Sequence, residues 1–115
     1  LERIHNIKAV PIFVTQYVHV YKTLDGILWG HEEQHKYMGH TINGVDVFEL
    51  ISRFNDVTLA VCHDAEAICI DLGGDAVRGL LKLRDEDFYD FVHPTPSGTR
   101  KIAEYLGVHL GATVF

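Results

Sequence analysis

The stretch VDVFELISRFNDVTLAVCHDAEAICIDL, residues 45–72, decides the fold. Its apolar residues Val47, Leu50, Ile51, Phe54, Val57, Leu59 and Val61 recur mostly at three- and four-residue intervals, the spacing that gathers side chains on one face of an α-helix. The pattern then shortens to the continuous apolar run AICIDL, which ends at Asp71 ahead of the breaker Gly73-Gly74 and reads as a strand. Upstream, KAVPIFVTQ is a similar run, covered on both faces, with Pro11 tolerable near its start and polar Thr15 and Gln16 at its end. Strands at about residues 9–15 and 67–72 joined through a crossover helix make a βαβ unit. The expected class is therefore α/β, with a parallel sheet and helices on its faces.

Working outward, the segment from Tyr21 to Gly44 is rich in His, Gly and aromatic residues without a clear period, and reads as an extended loop. Beyond the second strand, the last helix is signalled by Thr95 as a cap, Pro96 at the first helical position, and Ile102, Leu106 and Leu110 at four-residue steps. Gly107 is a point where that helix could end early.

With 115 residues the chain is one domain at most, and residues 1–115 are read as a single partial one. The content of 47% hydrophobic and 23% charged residues is that of a folded globular chain. A formal net charge of -6 argues against nucleic acid as the partner. No apolar run is long enough to span a bilayer. The chain opens on Leu1 rather than Met, which leads the reading to expect residues ahead of it. Cys62 and Cys69 lack a CxxC spacing and read as buried reduced thiols, with a disulfide as the alternative, so the compartment stays open.

The chemistry concentrates in DEDFYDFVHPTPSGTRKIAEYL, residues 85–106. Pro94 biases His93 away from helical geometry just before a helix begins. A turn brings residues i and i+3 within about 7 Å, so Asp90 can reach the His93 ring. A carboxylate that takes the Nδ1 proton fixes the tautomer and leaves Nε2 to act as a general base.

The block DFYDFVHPTPSGTRKIAEYL resembles the carboxy-terminal block of the SGNH/GDSL hydrolase family, where Asp-x-x-His-Pro precedes the final helix. VPIFVTQ and FNDVTLAVCHDAEAICIDL resemble that family's neighbouring strand and helix-then-strand segments. The resemblance implies a three-layer α/β/α sandwich and ester hydrolysis through a serine acyl-enzyme, with His93 as base, Asp90 as its orienter, no cofactor, and a small-molecule ester as substrate. The family's Gly-Asp-Ser nucleophile block and its Gly and Asn oxyanion donors are not in this sequence. Ser52, inside the long helix, and Ser97, in the first turn of the last one, do not occupy a nucleophile elbow. The resemblance thus covers the carboxy-terminal half of a hydrolase. An amino-terminal half, a partner chain or self-association is expected to complete the sheet, because two strands are too few for a stable covered one.

Two rivals stand beside it. His31-Glu32-Glu33-Gln34-His35 matches H-E-x-x-H, which on a helix would present two imidazoles to zinc with Glu32 as base. The motif is boxed between Gly30 and Gly39, His40 falls one position short of the extended pattern, and nothing selects Glu49 as third ligand, so a His-rich surface loop is the expectation. The other rival is a non-catalytic binding or assembly module of the same fold. Asp71 is expected to cap the turn that follows it, with a substrate-side role as the alternative. Trp29, Tyr37 and Met38 are expected to pack the loop onto the core rather than line an acyl pocket, and Glu86-Asp87 to be solvated.

Overall fold

The computed structural model describes residues 4, 6–7, 9–31 and 35–114. At its centre, β1 (Ile12–Val14) pairs in parallel with a strand from much later in the chain (Ile68–Ile70), in the register Ile12↔Ile68, Phe13↔Cys69, Val14↔Ile70. Between them lie β2 (Tyr21–Leu24), β3 (Ile27–Gly30), β4 (His35–Tyr37), β5 (His40–Ile42) and the long helix α1 (Gly44–Asp64). The later central strand is β6, followed by the short α2 (Leu72–Val77), a 3-10 turn (Asp85–Asp87) and the last helix, α3 (Pro96–Val114). The fold is mixed α/β, and its parallel pair is reached through α1, as the change of period implies.

Local chemistry explains each boundary. Asn43 accepts the Asp46 N–H at 2.9 Å while Asp46 accepts the Asn43 N–H at 3.3 Å, a reciprocal cap that starts α1. Asp71 caps α2 by accepting the Gly74 N–H at 3.1 Å, which is the capping role expected of it. Helix α3 runs through Gly107 to Val114 rather than ending early.

Two expectations need correction. The segment from Tyr21 to Gly44 is not an extended loop: β2 pairs with β3 and β4 with β5 in two antiparallel hairpins. Each is closed by two residues with positive φ, Asp25-Gly26 and Met38-Gly39, the backbone of a type I′ turn. Cys62 and Cys69 are not free thiols but a disulfide that ties the end of α1 to β6.

The interior is thin. Val18 and Val20, between β1 and β2, and Tyr21, which opens β2, are buried against Phe48 and Ile51 of α1. Asn55 is the polar clamp of this layer: its Oδ1 accepts the Gln16 N–H at 2.8 Å and its Nδ2 donates to the Gln16 carbonyl at 2.7 Å. An apolar groove bounded by Phe13, Val14, Phe54, Val57 and Val61 remains open, with Phe54 and Val57 each about 60% exposed. Among the described residues, β1 pairs on one side only, so its other edge is also open. No helix among the described residues is long and apolar enough to cross a membrane.

Two outcomes follow. Asn55→Ala, which strands both Gln16 backbone groups, lowers the unfolding free energy by about 2–3 kcal/mol in urea titration. Unfolded without reductant, the chain shows no thiol reactive with Ellman's reagent. Reduction costs up to about 2.5 kcal/mol of stability, as expected for so short a closed loop.

Candidate functional site

The strongest constellation is the turn at residues 88–94. A bridge between Phe88 and Pro94 and a hydrogen bond from the Tyr89 N–H to the His93 carbonyl, 2.9 Å, close it into a narrow loop. Asp90 sits inside the turn as its organiser. Its Oδ1 accepts the N–H groups of Val92 and His93, both at 2.7 Å, and its Oδ2 lies 2.7 Å from His93 Nδ1. The His93 backbone and ring bonds, with the Val92 N–H, lower the Asp90 pKa to about 2, so it is ionised at neutral pH. An ionised acceptor requires the proton on Nδ1 and leaves the Nε2 lone pair available. The His93 side chain is 75% exposed, so a reacting group can reach it. The structure therefore brings together Asp90 and His93, the pair singled out from the sequence.

What holds this turn is Asp87, which is not solvated as its place in an acidic pair implies. Asp87 is fully buried. Its carboxylate takes Lys101 Nζ at 2.5 Å, Ser97 Oγ at 2.8 Å and the Arg84 N–H at 2.9 Å. Burial pushes the carboxyl up, but the Lys101, Ser97 and Arg84 bonds outweigh it and hold its pKa below the usual value. The Asp87 carbonyl accepts the Thr95 N–H at 2.8 Å, and Thr95 Oγ1 caps the first turn of α3 by accepting the Gly98 N–H. Gly98 is required by closeness: a Cβ there would sit 2.2 Å from the Asp87 carbonyl oxygen. Glu86, by contrast, is largely exposed, as expected.

The remaining candidates fall elsewhere. Ser97 is committed to Asp87, and Ser52 lines a cavity of about 210 Å³, bounded also by Gln16, Tyr17, Asp71 and Arg78, whose walls exclude Asp90 and His93. Asp71 accepts Thr15 Oγ1 and Arg78 Nη2, both at 2.9 Å. Burial raises its pKa, but these partners and Gly74 hold it below its ordinary value. Trp29 and Met38 are exposed and do not pack their hairpins onto the core. Glu32, the side chain of His35 and that of Tyr37 lie outside the described residues; the described residues flanking Glu32–Gln34 belong to β3, β4 and the link at His31 rather than to a helix.

A second histidine, which no sequence pattern marks, lies beside this turn. His19, just past β1, donates its backbone N–H to the Phe91 carbonyl at 2.8 Å, anchoring the 88–94 turn beside the carboxyl end of the sheet. Its ring is stacked on Phe88, with centroids 4.8 Å apart and planes 5° apart, and its Nε2 lies 3.0 Å from Asp85 Oδ1. Burial and the neighbouring His31 ring hold its imidazole below the ordinary value, against the opposing pull of Asp85. No periodicity signals such a residue.

Asp87→Asn removes the charge that Lys101 neutralises and costs about 3 kcal/mol in chemical denaturation. Because its folded-state pKa is depressed, the Asp87 contribution is fully present above the ordinary carboxylate value near about 4 and is lost as pH falls through the folded-state value. A parent-minus-variant difference in stability that stayed constant down to strongly acidic pH would contradict this assignment.

No protein-family model matches this chain, no characterised protein is similar to it in sequence, and no solved structure matches its fold.

Proposed function

We propose that this chain carries the general base and orienting carboxylate of a serine ester hydrolase of the SGNH/GDSL type. In this reading its parallel pair is part of an α/β/α sandwich. The observation that carries the proposal is the Asp90 carboxylate, which accepts two backbone N–H groups and His93 Nδ1 at 2.7 Å while the imidazole stays exposed. A carboxylate so engaged is pre-oriented, and the ring it holds has one tautomer.

The chemistry follows from that geometry. His93 Nε2 takes the proton from a serine hydroxyl as its oxygen attacks the ester carbonyl. The imidazolium is stabilised by Asp90, which stays ionised, and returns the proton to the departing alkoxide. The acyl-enzyme is then cleaved by a water that His93 deprotonates, and the imidazolium returns that proton to the serine oxygen as the carboxylic acid leaves. Serine and oxyanion donors come from an amino-terminal half or a partner chain that carries the Gly-Asp-Ser block. The open edge of β1 and the exposed groove formed with Phe54, Val57 and Val61 support additional strands and a covering layer there.

The test uses protein that includes a Gly-Asp-Ser half. His93→Ala lowers turnover of a short acyl ester at least about a thousandfold, and Asp90→Asn causes a comparable or smaller loss. Near-normal turnover by the His93 variant removes the assignment. The chain alone hydrolyses p-nitrophenyl acetate no faster than its free imidazoles do, and a fluorophosphonate adduct on Ser52 or Ser97 would identify a different nucleophile.

A further inference from the structure

We infer that His19, His31 and Asp85 form a binding site for a divalent transition metal of the zinc class, distinct from the Asp90–His93 pair. These residues come from three separate places: the segment after β1, the end of the β2–β3 hairpin and the start of the 3-10 turn. One ring nitrogen from each histidine and one Asp85 oxygen all lie within 4.8 Å of one another. Ligands on one tetrahedral zinc are about 3.3 Å apart at bond lengths near 2.0–2.1 Å, so small side-chain rotations close the set. Asp85 has that freedom, because its side chain is 88% exposed.

Two further observations point to a cation rather than to a simple ion pair. The Nε2 of His31 is buried and has no hydrogen-bond partner among the described residues. An imidazole nitrogen left so is unfavourable, and a bond to a metal would satisfy it. The His31 ring also stands edge-on to that of His19, with centroids 4.7 Å apart, which gathers two imidazoles in one place.

The second observation is the environment of His19. Its Nδ1 faces the Tyr17 hydroxyl at 3.2 Å, and Phe88 stacks on the ring, so its orientation is set by groups that are not ligands. Outer contacts of this kind fix the tautomer of metal-bound histidines. Tyr17 and Phe88 thus hold the ring so that Nε2 faces the Asp85 carboxylate 3.0 Å away, where both can ligate one cation. Two imidazoles and one carboxylate suit zinc among divalent ions and leave a fourth position for water. The pairing of His31 with His35 and Glu32 is not needed. Bound metal would join the β2–β3 hairpin to the 3-10 turn that precedes the His93 loop.

The test is zinc binding by the full chain, purified without a histidine tag and stripped with a chelator. Equilibrium dialysis gives one zinc per chain, zinc raises the melting temperature by several degrees, and cobalt gives the intense visible bands of a tetrahedral site. Asp85→Ala and His31→Gln each weaken binding at least about tenfold and abolish those bands, whereas His35→Ala with His40→Ala leaves them. Asp85 is exposed, so its variant decides the matter even if the His31 variant does not fold. Unchanged zinc affinity in Asp85→Ala, or loss of binding only when His35 and His40 are replaced, would overturn the site.

Discussion

A carboxylate shut away from water sets the terms for the whole carboxy-terminal part of this chain. Asp87 can remain ionised in the interior only while Lys101 on α3, the Ser97 hydroxyl and the Arg84 N–H all face it. That requirement fixes where α3 begins and how closely its first turn approaches, since Gly98 lies against the Asp87 carbonyl. The turn that carries His93 is suspended between these anchored ends. Its shape follows from the burial of a charge that takes no part in the proposed chemistry.

Similar logic operates around the parallel pair. Thr15 Oγ1 donates to Asp71 and accepts the Gly73 N–H, so the carboxyl ends of β1 and β6 are joined through one hydroxyl. Asn55 holds the next residue, Gln16, from the helix above. Farther out, Asp75 binds Tyr105 and Arg78, and Tyr105 lies on α3, which docks that helix against α2. The central layer is thus held as much by polar groups at the strand ends as by apolar burial. Many apolar side chains of β1 and α1 meanwhile stay exposed.

What could be read from the sequence is what depends on neighbours in the chain. The period of Val47, Leu50, Ile51 and Phe54 reports α1, and the short apolar runs report β1 and β6, because these patterns arise from single elements. Asp90 and His93 are legible because they stand only three positions apart. Asp87 was misjudged because its burial depends on Lys101, fourteen positions away. The hairpins carried one readable signal, Asp25-Gly26, that the surrounding lack of period obscured, while Met38-Gly39 gives none as strong. The Cys62–Cys69 bond and the meeting of His19, His31 and Asp85 depend on packing that no spacing specifies.

The register of the central strands has a kinetic consequence. Thr15 and Asp71 stand 56 positions apart, so pairing β1 with β6 closes a long loop, and its entropy must be met before any contact rewards it. The two hairpins face no such barrier and can form in about 1–10 μs each. The Asp90 turn is more local still, closed by bonds that span two or three residues. The bonds that orient the imidazole thus need no strand pairing to form. Its docking through Phe91 and His19 belongs to the slow, long-range step, so a change that only delays strand pairing would leave a correctly turned histidine with nothing to face.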